Sequence, residues 1–456
     1  MRDAAPSGAW LFGPGLDLLL GCGLLYALLV VPISLSGDLF VNGTPSFVMS
    51  LGVVLLSASH YGATLVRVYE RREDRRAYVL FTLWATLLLL AAFVAGLRSP
   101  TWSAYLLTLY LTWSPWHYTG QNYGIAVMFV RRAGVPLPPT VKRLLYASFA
   151  LSYLLTFVSM HAGEGTAWDP AGAGGSSVSF LALGIPEAFA RPAIAVLLAV
   201  DLLLVVASGV ALARQSSVRR VAPALLLMLT QALWFTIPFG VGYLGLHTGL
   251  AALDRQQEIR NYLLLVALAH GTQYLWVTAY YAKQRTGEWS GFVSFYGRTL
   301  LAGVALWTLP VVLFAPLRTG GMGYEGGLAL LLASVINLHH FVLDGAIWKL
   351  RHSRVASVLI RSTPDPAGAP ALAAGPSWSR RAMWTLCAVG FACWAFVFVS
   401  LEFASPAAFS RGDLPAASRI LDRVEWLGHD HARIRLELGR RFLRSGEVDE
   451  AERSLT

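Results

Sequence analysis

Four stretches of the chain carry a histidine among polar residues at helical spacing. Ser57, His60, Thr64 and Arg67 are separated by 3, 4 and 3 residues. Ser114, His117 and Gln121 repeat that pattern around Pro115, His270 leads Gln273 and Tyr274, and Asn337, His340 and Asp344 do the same with His339 alongside. Residues three or four apart stack along one face of a helix, so each stretch presents a short polar stripe. Neutral imidazole is a common ligand for zinc, iron and copper. His340 and Asp344, at i and i+4, form a chelating pair. Two or three histidines with a carboxylate and open positions suit non-haem iron or catalytic zinc. The expected metal ligands are therefore His60, His117, His270, His339, His340 and Asp344, with iron as the metal and zinc as the alternative; a bis-histidine haem is less favoured. His339 and His340 cannot both point the same way on a regular helix, which leaves one of them a structural role. The expected catalytic groups are Asp344, Tyr274, Gln121 and Gln273. Gln121, Gln273, Tyr274 and Asn337 are also expected to hydrogen-bond the ligands and fix their orientation.

A single histidine in a membrane helix more often bonds a neighbouring helix than a metal. Four stripes at one depth change that balance. His60 precedes Arg67 by 7 residues, His117 precedes Arg131 by 14 and His270 precedes Lys283 by 13. At 1.5 Å per residue the histidines lie roughly 10–21 Å from the basic edge, in one slab of the membrane. Asp17 and Asp201 fall at similar depth and are expected to pair with Arg67 or hold a histidine N–H. Trp113, Trp116, Trp276 and Trp348 lie near the stripes, as walls of an apolar pocket or as ordinary bundle lining. His161 and His247 near span ends, His352 in a basic loop, and His429 and His431 in the C-terminal tail are read as solvated. The chain contains no GxxxxGK[ST] loop, no HExxH and no GxSxG, so nucleotide hydrolysis, zincin and serine-hydrolase chemistry have no support.

The elements that must position these residues are membrane helices. Of 456 residues, 55% are hydrophobic and only 14% charged, with mean hydropathy +0.55; soluble domains carry roughly 25% charged residues. Apolar runs of about 20 residues, enough to cross the hydrocarbon core, fall near 9–35, 45–66, 78–97, 103–130, 143–162, 192–213, 222–244, 261–282, 299–317, 326–348 and 381–401. Lipid offers backbone groups no partner, so these runs must be helical. The net charge of +10 is no nucleic-acid signature. Arg and Lys cluster after the even-numbered runs, at Arg67–Arg76, Arg131–Arg143, Arg214–Arg220, Lys283–Arg285 and Lys349–Arg354, which is the footprint of membrane topology. The reading is an integral protein of a plasma membrane such as the bacterial inner membrane, with the N-terminus cytoplasmic. The first run is too long for a signal-peptide core and is expected to stay. Cys22, Cys387 and Cys393 form no disulfide framework.

The predicted fold is thus all-α: a polytopic bundle of about eleven transmembrane helices over residues 1–401, with a Pro/Ala-rich cytoplasmic linker at 362–379. A charged helical tail over 402–456 follows, expected outside. Gly412, Ala417 and Leu421 recur as Gly446, Ala451 and Leu455, a shift of 34, and Leu438-Gly439, Phe442, Gly446 and Ala451 resemble the tetratricopeptide pattern. Such an array usually needs three or more repeats, so either the array is cut short here or the tail leans on a protein partner.

The motif order resembles the bacterial and archaeal membrane β-carotene cleavage enzymes of the Brp/Blh type. The words that carry the likeness are SHYG at His60, WHYTG at His117, AHGTQY at His270 and HHFVLD at His340 and Asp344, about 30 residues in all. Tyr274 stands where that family has a second histidine in its third motif. The resemblance implies an iron-dependent oxygenase of polyene lipids. The first expectation is accordingly a membrane oxidoreductase or oxygenase acting on an apolar small molecule drawn from the bilayer. Competing readings are a proton-coupled transporter with a His/Asp relay, a haem electron carrier, and a membrane anchor for a repeat scaffold.

Overall fold

The computed structural model describes residues 9–29, 50–69, 78–163, 178–245, 256–286, 289–319, 322–348, 353–360, 378–429 and 431–455. His247, His352, Arg71, Arg72, Arg75, Arg76, Lys349, Arg351 and nearly all of the 362–379 linker lie outside them. Among the described residues there is no strand, and one isolated bridge joins Ala162 to Ile185.

Ten long helices make up the bundle: α1 Ser50–Tyr69, α2 Leu80–Arg98, α3 Pro100–Arg132, α4 Pro139–Met160, α5 Glu187–Gln215, α6 Val218–Gly242, α7 Gln256–Thr286, α8 Trp289–Leu313, α9 Tyr324–Ile347 and α10 Arg380–Ser410. Among the described residues eight helices are long and apolar enough to cross a membrane, against about eleven expected for the whole chain. The shortfall has two physical sources. The first expected run is described only in part. Helices α3 and α7, at 33 and 31 residues, have ample length but are diluted by His117, Gln121 and Asn122 in one and His270, Thr272 and Gln273 in the other. Pro115 sits inside α3 without ending it.

Helices α1 and α8 cross with almost no space between them. A methyl group on Gly62 would run into the Thr299 carbonyl, and one on Gly303 into the Ala58 carbonyl. Close backbone approach over small residues is how membrane helices gain dispersion contact where lipid supplies no hydrophobic drive. Gly271 does the same for α7 against α1, since a methyl there would lie 3.2 Å from His60 Nδ1 and from the Leu56 carbonyl. Helix α9 packs between α3, α2 and α1.

Helix α10 runs through the expected boundary at residue 401 and ends at Ser410. The tail then forms α11 Leu414–Trp426, α12 Ala432–Ser445 and α13 Val448–Leu455. Asp413 caps α11 by accepting from Ala416 N at 3.0 Å, and Gly446 ends α12 in the left-handed region, φ 84°, where glycine carries no Cβ penalty. Ala408, Ala417, Leu421, Leu438, Phe442 and Ala451 pack as a small core of the tail. The tail is docked on the bundle: Val424 and Leu427 bury against Val397, and Gly428 abuts the Val311 carbonyl.

Candidate metal centre

Four helices bring the stripes together. His60 and Thr64 come from α1, His117 from α3, His270 and Tyr274 from α7, and His340 and Asp344 from α9. His60, His270 and His340 are 2%, 1% and 2% exposed. Ring centroids lie 4.8 Å apart for His60–His340, 5.4 Å for His60–His270, 5.0 Å for His117–His270 and 5.1 Å for His117–His340. Two triads, His60–His270–His340 and His117–His340–Asp344, each offer ligand atoms within 4.8 Å of one another, and His340 belongs to both.

The donor geometry around Asp344 is ordered. Its Oδ2 stands 3.3 Å from His340 Nε2 and 3.8 Å from His117 Nε2. Its Oδ1 accepts from Tyr274 Oη at 2.8 Å and from Thr64 Oγ1 at 3.1 Å. Thr64 Oγ1 also lies 2.7 Å from Tyr274 Oη and 3.0 Å from His340 Nδ1, and it accepts from Nδ1–H in the tautomer that leaves Nε2 free for a metal. In that tautomer the His340 Nε2 lone pair faces Asp344 Oδ2, an arrangement that suits an ion between them. Trp348 Nε1 donates to Tyr274 Oη at 3.0 Å and holds the phenol in place.

A metal ion fits this set. Nε2 of His117, both ring nitrogens of His270 and Nε2 of His340 are buried with no hydrogen-bond partner among the described residues. A buried polar atom left unpaired costs about 1–3 kcal/mol, and here several are gathered at one point. Donors bound to one ion at about 2.0–2.2 Å lie roughly 3–3.5 Å apart at tetrahedral or octahedral angles, which the His340–Asp344 separation already meets.

The other expected residues are placed differently. His339 is not a ligand candidate: its Nε2 meets Thr86 Oγ1 at 2.9 Å and Tyr69 Oη at 3.2 Å, because one residue along a helix turns the side chain by about 100°. Gln121 donates to Gln273 Oε1 at 2.9 Å, and Gln273 donates to the Gly21 carbonyl at 3.2 Å; the pair braces α3, α7 and the N-terminal segment rather than an imidazole. Asn337 accepts from Tyr61 Oη at 2.6 Å. Asp17 pairs with neither Arg67 nor a histidine. It accepts from Trp276 Nε1 at 2.9 Å and from Leu11 N at 2.6 Å. Arg67 lies over the Tyr281 and Trp348 rings, 3.9 and 4.1 Å from their centroids. Asp201 accepts from Thr236 at 2.7 Å.

Three histidines read as solvated are not. His161 is buried, with Thr112 Oγ1 3.0 Å from its Nε2 and Leu183 N donating to its Nδ1 at 3.2 Å. His431 contacts Glu325 Oε1 at 2.9 Å. His429 is packed against Tyr324, and burial, with a smaller contribution from His431, pulls its imidazole down to about 4. Thr64 is the residue whose role was missed: its spacing four after His60 puts it on the stripe, but its partners come from other helices.

A cavity of about 360 Å³ reaches the cluster, lined by His117, Tyr274 and Asp344 together with Trp113, Trp116 and Trp348. Trp276 is not among them. The volume is at the lower end of small-molecule sites. A comparison of the chain with known protein families, characterised proteins and solved structures found no match. Among the described residues the chain is all-helical, with eight helices long and apolar enough to cross a membrane and buried histidine groups able to hold a metal.

Proposed function

We propose that the chain is a membrane-embedded metal enzyme, an oxygenase or oxidoreductase acting on an apolar lipid or polyene. The carrying observation is that a largely apolar cavity is lined by His117 and Asp344, two members of the histidine–carboxylate cluster. His60, His117, His270 and His340 would hold the ion with Asp344, and iron is favoured over zinc by the likeness to the Brp/Blh-type β-carotene cleavage enzymes. When bound, the ion would supply activation of dioxygen or water at an open position.

The chain's own residues do the rest. Tyr274 and Thr64 hold the outer oxygen of Asp344, so the carboxylate offers its other oxygen to the cluster. Thr64 fixes the His340 tautomer. The tryptophan walls of the cavity exclude water and offer an apolar chain dispersion contact. Tyr274, at the position of the likened family's extra histidine, thus serves as an orienting group. The basic clusters between spans support a plasma-membrane placement with a cytoplasmic N-terminus, and the tail would engage a protein partner on the opposite side.

The test is elemental analysis of the purified full-length protein. Near-stoichiometric iron or zinc is expected in the wild type, with loss in His340→Ala and His117→Ala while helical content is kept. Unchanged metal in both variants sinks the proposal. Oxygen uptake on adding a polyene to the iron-loaded protein, lost in the same variants, tests the reaction class.

A further inference from the structure

The cavity beside the histidine cluster is a groove along one helix face. Trp113, His117, Gly120, Gly124 and Met128, spaced 4, 3, 4 and 4 residues apart, all line it from α3. That spacing keeps them on one side of the helix. From Trp113 to Met128 is 15 residues, about 22 Å at 1.5 Å per residue. Spread over that length, the 360 Å³ of the cavity gives a mean section of about 16 Å². That is room for one extended hydrocarbon chain and not for a fused ring system.

Glycines make the groove. A methyl group on Gly120 or Gly124, or on Gly345 of α9, which packs on α3, would meet no other described element within 4 Å. Each glycine therefore marks open space that a side chain would fill. Gly120 and Gly345 are exposed, so the groove is open along its middle. Its walls offer little to a polar molecule. Gln121 Nε2 is taken by Gln273 Oε1 at 2.9 Å and Tyr274 Oη by Asp344 at 2.8 Å. Among the described lining residues, the buried atom left without a hydrogen-bond partner is His117 Nε2, which belongs to the candidate centre.

We infer that the substrate is a single unbranched hydrocarbon chain, the acyl chain of a lipid, laid lengthwise along α3, and that Gly120, Gly124 and Gly345 set its width. The inference rests on the site of the proposed function and narrows its substrate. The chain enters sideways from the bilayer past Gly120 and Gly345, gains dispersion contact along its whole length and passes beside His117. His117 stands 4 residues from Trp113 and 11 from Met128, so the atoms held next to the cluster lie toward one end of the chain.

The experiment is photolabelling of the full-length protein in phosphatidylcholine nanodiscs with a diazirine-bearing stearic acid, adducts being mapped by mass spectrometry and metal measured on the same samples. Adducts are expected on the α3 face between Trp113 and Met128. Excess stearic acid should compete them away and cholesterol should not. Gly124→Leu and Gly345→Leu, which point into open space, should each abolish them while the bundle keeps its metal; if a leucine variant does not fold, Gly120→Val is read in the same way. Labelling unchanged in the folded variants overturns the inference, as does equal competition by cholesterol. The same diazirine carried on a phosphatidylcholine separates the two sources of such a chain: labelling by both probes admits a lipid-bound chain, labelling by the free acid alone restricts the site to fatty acids, and labelling by neither overturns the inference. A wild type labelled on this face but without metal would refute the proposed function and leave the chain site standing; metal without labelling would do the reverse.

Discussion

Replacing Thr64 by valine tests the candidate centre at its most economical point. The change keeps the β-branched shape and removes one hydroxyl, yet that hydroxyl touches three members of the network: Tyr274 Oη at 2.7 Å, His340 Nδ1 at 3.0 Å and Asp344 Oδ1 at 3.1 Å. Asp344 keeps Tyr274 as a donor, so the carboxylate remains partly oriented. His340 loses the acceptor that fixes its tautomer. Loss of such an orienting partner typically weakens a metal site 10- to 100-fold, which is about 1.4–2.8 kcal/mol. The stranded Nδ1–H adds about 1–3 kcal/mol of instability to the metal-free bundle. Chelator competition on the purified variant, with ferrous iron or zinc, reads the first quantity, and chemical or thermal unfolding reads the second. His340→Ala serves as the reference, since it removes the residue shared by both triads. An unchanged dissociation constant in a folded Thr64→Val protein would refute the orientation argument. Unchanged binding in His340→Ala as well would remove the centre altogether.

Three further outcomes follow from the same geometry. His339→Gln is expected to keep the full metal content, because that ring bonds Tyr69 and Thr86 outside the cluster; metal loss equal to that of His340→Ala would contradict the assignment. Gly303→Ala forces α8 away from the Ala58 carbonyl and is expected to cost at least the ~1–3 kcal/mol of ordinary overpacking, read as a lowered unfolding midpoint; a neutral result would mean the crossing is looser than described. The tail should undock in acid. His429 is buried neutral against Tyr324, beside His431 and its partner Glu325, and its pKa is pulled down to about 4 from an ordinary value near 6.5. The undocked state therefore binds more protons. Docking is at full strength above about pH 6.5 and weakens as pH falls toward 4, by up to about 3 kcal/mol. Limited proteolysis between residues 410 and 431 as a function of pH measures it, and His429→Phe should flatten the profile.

The polar stripes were legible because helical spacing is a local property. His60 with Thr64 and His340 with Asp344 can be placed on common faces from their numbers alone, and their depth follows from the next basic residue. Partnership between helices is not local. Nothing in the sequence distinguishes Gln121 bracing Gln273 from Gln121 holding an imidazole, and Asp17 reads as a mid-membrane acid until the Leu11 and Phe12 amides are seen folded back onto it. The same limit hid His161. Its neighbours Thr112 and Leu183 lie on a different helix and on the loop preceding another. Helices α3 and α7 fall short of the apolar composition of a span because polar residues such as Gln121, Asn122, Thr272 and Gln273 accompany their histidines, whereas α1 and α9 carry candidate ligands and keep that composition.

The donors of the candidate centre reach from residue 60 to residue 344, one helix at a time, and α9 arrives last with two of them. Until that helix inserts, the three earlier imidazoles have one another but lack both His340 and the carboxylate. A fragment ending before residue 340 would lack two of the five candidate donors.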